Sequence, residues 1–286
     1  MNMKKLFGII VLAMLAVCST ALVSCGDDDE DITSQNRVVT VDASGNAKGC
    51  YRFTRIDARN FLIDDIIYTL SGENLTVSGY DPIFFKGEAN IIFALNYGGV
   101  TMVVNRISGA FNDCTALTSV NIPNSVTKID DYAFAGCSGL TSINIPNSVT
   151  LIDSDAFCDC TGLTSVNIPN SVTSIGRRAF CGCTGLTSIN IPNSVIKIDE
   201  NAFSRCTGLT SVTIPNSVTW IGQYAFRDCS GLKDVYCYAT TPPSVYINIF
   251  SETNLSSITL HVPAQSVDTY KRKSPWSGFG SIVAIE

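Results

Sequence analysis

Residues 140–162 read LTSINIPNSVTLIDSDAFCDCTG, and residues 163–185 read LTSVNIPNSVTSIGRRAFCGCTG. The second stretch is the first with few changes, moved on by 23 residues. The same step recurs in both directions along the chain. Phe111, Phe134, Phe157, Phe180, Phe203 and Phe226 keep it, as do Leu117, Leu140, Leu163, Leu186, Leu209 and Leu232. A column of cysteines follows: Cys114, Cys137, Cys160, Cys183, Cys206 and Cys229. One unit is L-x-x-[VI]-x-I-P-N-S-V-x-x-I-[DG]-x-x-A-F-x-x-C-[ST]-G. A repeat of constant length without insertions is the mark of a stacked solenoid, because no single unit can bury its own apolar residues.

Within a unit, Leu140-Thr141-Ser142-Ile143-Asn144-Ile145 alternates like a strand towards its end, with Ile143 and Ile145 inward and Ser142 and Asn144 outward. Pro146 removes a ladder donor, and Asn147-Ser148 favours a turn. Val149, Ile152, Ala156, Phe157 and Cys160 return to the core. The expected fold is mainly β: a parallel strand stack about 4.8 Å per step, with short turns or 3-10 segments on the outer side. Leu163, mid-array, is expected to be fully buried.

Residues 107–238 are the regular array. Residues 36–106 are strand-rich, with Val38–Val41, Ile66–Tyr68 and Val100–Val104 as candidate strands and turn signals at Ser71–Asn74 and Tyr97-Gly98-Gly99. They are expected to cap one end. Residues 239–286 differ from the array from Pro242-Pro243 onward, and Tyr270, Trp276, Phe279 and Ile282 offer the bulk of a second cap. Caps are required because a bare solenoid exposes its core and an unpaired strand edge.

Residues 1–24 read as an export signal: Lys4 and Lys5, the apolar run Leu6–Val17, then Leu22-Val23-Ser24-Cys25. That ending resembles a bacterial lipobox, which makes Cys25 the expected lipidation site. Residues 25–35 carry Asp27-Asp28-Asp29-Glu30-Asp31, an acidic run that repels itself and reads as a solvated tether. Its position resembles the surface-export signal of lipoproteins in the Bacteroides group. The chain has 19 basic and 25 acidic residues and net charge -6, against nucleic-acid binding. The expected membrane attachment is by lipid alone.

The unit resembles the BspA-like, or Treponema-type, class of leucine-rich repeats. Phe61–Tyr68 resembles that family's opening hairpin. Asn96-Tyr97-Gly98-Gly99-Val100-Thr101, with Val104, Ile107 and Ala110-Phe111, resembles its first degenerate repeat. Leu260-His261-Val262-Pro263 with Tyr270, Trp276 and Phe279 resembles its usual terminus. The resemblance spans about residues 60–286 and implies a leucine-rich repeat solenoid. It also implies a surface protein that adheres to host matrix proteins or to other bacteria.

The six-cysteine column reads as reduced, metal-free buried thiols, since every unit has one and no histidine matches it. Cys158 and Cys181 share one position in adjacent units, where other units carry Ala135, Ser204 and Arg227. A disulfide there is consistent with the spacing, and zinc is the competing reading. Cys237 falls where earlier units have isoleucine, and Cys50 has no assigned role. The acids Asp130-Asp131, Asp153, Asp155 and Asp159 read as solvated outer turns rather than a hydrolase pair. His261 is the one histidine, with no base assigned to it by the sequence, and no nucleotide fingerprint occurs.

Two faces are candidate binding sites. The strand face repeats Asn144, Asn167 and Asn190 with little variation. The outer turns vary and carry Arg177, Arg178, Lys197, Trp220 and Arg227, which suits a specific partner. These features describe a lipid-anchored, surface-exposed binding or adhesion protein for a macromolecular partner, without cofactor. A carbohydrate-contacting accessory protein is the alternative, with Trp220, Tyr224 and Tyr132 as stacking residues. An enzyme is the third reading.

Overall fold

The computed structural model describes residues 38–41, 47–48, 53–83, 85–97 and 100–285. The export signal, the acidic tether, Cys25, Cys50 and Gly98-Gly99 lie outside the described residues.

The chain winds as a parallel coil bonded to its neighbours on three sides. The first side is the expected strand ladder. Glu88–Asn90 pairs with Ser119–Asn121, Ser142–Asn144 with Ser165–Asn167, and Ser188–Asn190 with Ser211–Ile214. Ser142 stands opposite Ser165 and Ser188 opposite Ser211, so the register equals the sequence step. Leu163 is 0% exposed beneath this ladder.

The second side is also a ladder, which the sequence reading had left as turn. Lys128–Ile129, Leu151–Ile152, Ser174–Ile175, Lys197–Ile198, Trp220–Ile221 and Ser244–Val245 pair in parallel, one below the next. The unit's second isoleucine points in from each and is 0% exposed in the array. Two residues per rung are too few for an alternation to be visible in sequence. The outer side of the array is therefore paired strand and turn. The 3-10 segments lie beyond it, at Leu255–Ser257, Ala264–Ser266 and Trp276–Gly278.

The third side carries the phenylalanines. From Phe111 to Phe203 each Phe N–H donates to the alanine carbonyl of the following coil, as Phe134 to Ala156 and Phe157 to Ala179, both at 2.8 Å, and Phe226 donates to Ile249. The rings of Phe111, Phe134, Phe157, Phe180, Phe203 and Phe226 stack 5.2–5.5 Å apart and within 8° of parallel. Tyr80 and Phe85 extend the stack at one end, and Phe250 extends it towards Trp276 and Phe279 at the other.

Both ends are closed. The second ladder runs into Val100–Ile107, then Asn74–Tyr80, from which the antiparallel strands Ile66–Ser71, Asn60–Ile63 and Phe53–Arg55 continue. Asp64 and Asp65, at φ 46 and 71, make the tight turn of the 60–71 hairpin. At the other end the coil continues past the exact repeat. Asp234–Cys237, Thr259–Val262 and Ser281–Ala284 stay in the first ladder. Tyr270 and Trp276 are 0% exposed there, and Tyr270 donates to the Ala239 carbonyl at 2.8 Å. Cys237 replaces isoleucine opposite Ile214 and is buried.

The glycine before each leucine has a steric cause. A Cβ on Gly162, Gly185, Gly208 or Gly231 would lie 2.2–2.6 Å from a carbonyl oxygen of the coil below. Gly185→Ala is therefore expected to destabilise by about 1–3 kcal/mol through overpacking. Leu163→Ala is expected to cost about 2–5 kcal/mol through the cavity it leaves. Denaturant titration of each variant measures both; a change under roughly half a kcal/mol at either site contradicts the packing.

Candidate functional site

Beside the strand face, the turns after the first ladder frame a groove of about 450 Å³. Asn167 and Asn190 come from the strands, and Asn147, Asn170 and Asn193 from the turns. Pro169, Pro192 and Pro215 form its apolar part, and Thr213 and Tyr238 close one end. The prolines stop the ladder here, because they have no N–H to donate, and the chain turns away. Ser171 Oγ and Ser194 Oγ hold each turn to the coil below by donating to the carbonyls of Val149 and Val172, at 2.5 and 2.6 Å. The asparagine side chains are thereby fixed in rows, one coil step apart.

Asn167 and Asn190, expected on the strand face, are thus brought together in one groove; Asn144 sits in the adjacent strand outside its lining. The sequence reading missed Tyr238. It occupies the proline column one unit beyond Pro215, and is 45% exposed. Alignment of that column past the exact repeat would have found it.

The outer candidates are dispersed and committed to neighbours. Lys197 and Trp220 lie on the second ladder, not in turns, with the Lys197 ammonium 4.6 Å from the centre of the Trp220 ring. Lys197 also pairs with Asp199 at 3.1 Å, and Tyr246 meets the Trp220 ring edge-on. One Trp220 face is therefore occupied by a cation rather than open for a sugar. Arg178 pairs with Asp155 at 3.1 Å, and Arg227 pairs with Glu252 at 2.7 Å while lying over Tyr224. Arg177 reaches Glu200 only at 4.0 Å. Tyr132 is half exposed.

Of the acids expected to be solvated, Asp131 and Asp159 are exposed and Asp130 and Asp155 are not. Asp130 and Asp155 are 6% and 5% exposed. Arg106 covers the first at 2.6 Å and Arg178 the second. Their partners stand a full coil away in sequence, which hides the pairing from a linear reading. Burial, and then the Asp153 carboxylate, push the Asp131 carboxyl above its ordinary range. His261 does have an acid partner, Asp234 at 2.8 Å, and stacks on Tyr236.

The cysteine column has a structural chemistry of its own. Five of its six thiols donate to a phenylalanine carbonyl of the coil below: Cys137 to Phe111, Cys160 to Phe134, Cys183 to Phe157, Cys206 to Phe180 and Cys229 to Phe203, at 3.1–3.3 Å. One step further Thr253 takes the place of cysteine, and its hydroxyl donates to the Phe226 carbonyl at 2.8 Å. The column thus supplies a donor to an otherwise enclosed carbonyl. Burial pushes the Cys160 and Cys229 thiols up to about 12 and those of Cys183 and Cys206 well up. Among the described residues, no group of three or more His, Cys, Asp or Glu is arranged to hold a metal ion. Nor, among those residues, is any helix long and apolar enough to cross a membrane.

The sequence matches the family described as BspA type leucine rich repeat region in six copies, over residues 107–233 and 150–271. No curated protein matches it. Among solved structures, a T. pallidum leucine-rich repeat protein is similar at 28% identity and TM-score 0.53, over 60% of this chain and 78% of that one. A Bacteroides ovatus leucine-rich repeat protein is 21% identical with TM-score 0.48, over 79% of this chain and 76% of that one. A Faecalibacterium prausnitzii leucine rich cell surface protein is 18% identical with TM-score 0.30, over 80% and 96%.

Two substitutions test the role of the column. Cys183→Ala removes the thiol donor to the Phe157 carbonyl, which keeps only the Cys160 N–H at 3.3 Å, and is expected to cost about 0.5–1.5 kcal/mol, the range for one net hydrogen bond. Cys183→Ser keeps a donor and is expected to recover most of that loss. Equal stability of Cys183→Ala and the parent chain contradicts the assignment.

Proposed function

The chain belongs to the family of BspA-type leucine-rich repeat proteins, and on that footing we propose that it is a surface-exposed, lipid-anchored binding or adhesion protein. Its partner is a macromolecule, a host or bacterial protein, held in the groove of the strand face. The observation that carries this reading is the groove itself. Asn147, Asn167, Asn170, Asn190 and Asn193 offer amide donors and acceptors beside an apolar floor of prolines. Such an arrangement suits an extended, uncharged chain whose polar groups can bond to side-chain amides beside an apolar strip. The outer cations favour this choice, since most of them already face an acid or a ring within the protein.

A glycan is the second reading. Amide rows next to the exposed Tyr238 ring also fit a sugar chain, which stacks on an aromatic face and hydrogen-bonds along its hydroxyls. The surface location rests on the sequence of residues 1–31 and on its lipobox-like Cys25. The cell-surface description of the F. prausnitzii protein agrees with it. Anchoring is expected to need Cys25 alone: Cys25→Ala should release the protein from membranes. Intact mass of the native chain should show an acylated start at that residue.

Binding of residues 26–286 to immobilised matrix proteins and to a glycan array identifies the ligand class. Two variants then locate the site. Asn167→Ala/Asn190→Ala/Tyr238→Ala is expected to weaken binding roughly tenfold or more, as loss of interface anchors does. Arg177→Ala/Arg178→Ala/Trp220→Ala is expected to leave it within about threefold, as loss of residues outside a binding site does. The opposite ranking, in folded variants, assigns binding to the outer side and overturns the groove.

A further inference from the structure

Cys158 and Cys181 form a small cluster with Ala135, apart from the main core. They occupy the same place in consecutive coils, and the Asp159 N–H donates to the Cys181 carbonyl at 2.7 Å. The rings of Phe157 and Phe180, one residue before each cysteine, are 5.2 Å apart. One coil step of ~5 Å between the two backbones falls inside the Cα separation that a disulfide spans. The column cysteines share that spacing, but Cys137, Cys160, Cys183, Cys206 and Cys229 point their thiols at carbonyls and are fully buried. Cys158 and Cys181 are 4% and 5% exposed, at the edge of the solvent.

The charges around the pair are asymmetric. Each thiol lies close enough to perturb the ionisation of the other. Cys158 Sγ also donates to Asp159 Oδ2 at 3.5 Å and accepts from Arg178 Nη2 at 3.4 Å. Arg205, paired with Asp159 at 2.5 Å, lies against Cys181. Asp155 holds the Arg178 guanidinium from its other side. The Asp159 carboxylate touching Cys158 opposes negative charge there, the Arg178 guanidinium on the same sulfur favours it, and Arg205 favours charge on Cys181. Cys158, with Arg205 and Arg178 behind it, holds the Cys181 thiol down to about 6 against the effect of burial. The Cys158 thiol is driven up, by the Cys181 thiol beside it and by burial.

We propose that Cys158 and Cys181 form a thiol–disulfide exchange site for a small external disulfide, with Cys181 as the attacking sulfur and Cys158 as the resolving one. The Cys181 thiolate attacks one sulfur of a disulfide RSSR; that S–S bond breaks and RS⁻ leaves. Cys158 then gives its proton to water, and its sulfur attacks the Cys181 sulfur. The Cys158–Cys181 bond forms and the second RS⁻ departs. The protein dithiol loses two electrons and RSSR gains them. Arg178, already on the Cys158 sulfur, stabilises the charge that appears there in the second step. The product is a covalent staple between two neighbouring coils.

The test uses the folded, reduced chain of residues 26–286 with glutathione disulfide at neutral pH, followed by peptide mapping. One bond, Cys158–Cys181, is expected, with the column thiols unmodified. Iodoacetamide is expected to label Cys181 roughly tenfold or more faster than any column cysteine, as a thiolate at the edge of the solvent does against enclosed neutral thiols. Its rate should fall as pH drops through about 6. Cys158→Ser removes the resolving sulfur, so the reaction should stop with glutathione on Cys181. Modification absent from Cys181, or spread over the column, in protein that retains its parent unfolding transition overturns the proposal. The wild-type map decides the matter even if the variant does not fold.

Discussion

Every coil is held to the next at one rise, set by backbone hydrogen bonds along the second ladder and the phenylalanine side, with the first ladder joining some coils as well. The two ladders join a residue to its counterpart one unit on, and the Phe-to-Ala bonds reach the residue just before that counterpart. A side chain inside such a stack meets its own copy above and below. The interior positions must therefore tolerate themselves. Phenylalanine does so by stacking face to face, and the observed 5.2–5.5 Å lies within the range of favourable offset pairs. Cysteine does so because its thiol bonds to the coil below rather than to its copy. Glycine is demanded where a carbonyl of the coil below leaves no room for a Cβ. The rigidity of the repeat follows from these matches and not from any single strong contact.

The same constraint divides the surface by task. Asparagines that leave the strand and the following turn can only form rows, and the rows frame a groove of uniform chemistry. Charges on the other sides are free to vary, yet they settle into bonds along the stack. Arg178 reaches back one unit to Asp155, Arg205 two units to Asp159, and Arg227 forward to Glu252. The Arg205 and Arg227 pairs lie on the surface, where solvent screening leaves them little effect on stability. Their larger effect is to occupy the cations, which leaves the amide groove as the better candidate for a partner. Where variation placed two thiols on adjacent coils beside two arginines, the fixed rise brought them within reach of each other.

The parts legible in sequence are those repeated with a fixed step. Leu163, Phe157 and Cys160 could be placed in the core from their columns alone, and Cys158 and Cys181 could be set side by side. Three features were hidden. The second ladder has rungs of two residues, as at Lys197–Ile198, which carry no alternation to read. The burial of Asp130 and Asp155 depends on arginines a whole coil away. The continuation past residue 238 is masked by substitutions that keep the role and change the residue. Thr253 replaces a cysteine, and Tyr238 enters the proline column. Ser204 stands buried where Cys158 and Cys181 stand in earlier units, a change for which these contacts supply no cause.

Commensurate stacking is tested most directly by deleting chain in the middle of the array. Removal of residues 164–186, one whole 23-residue unit, joins Leu163 to Thr187 and restores every column in register. Removal of one residue fewer shifts all columns beyond the junction against those before it. The whole-unit deletion should keep a single cooperative unfolding transition, with stability lower by roughly the contribution of one repeat and its interface. The shorter deletion should lose that transition or fall well below it. Equal stability of the two deletions would contradict a stack whose coils are locked together residue by residue.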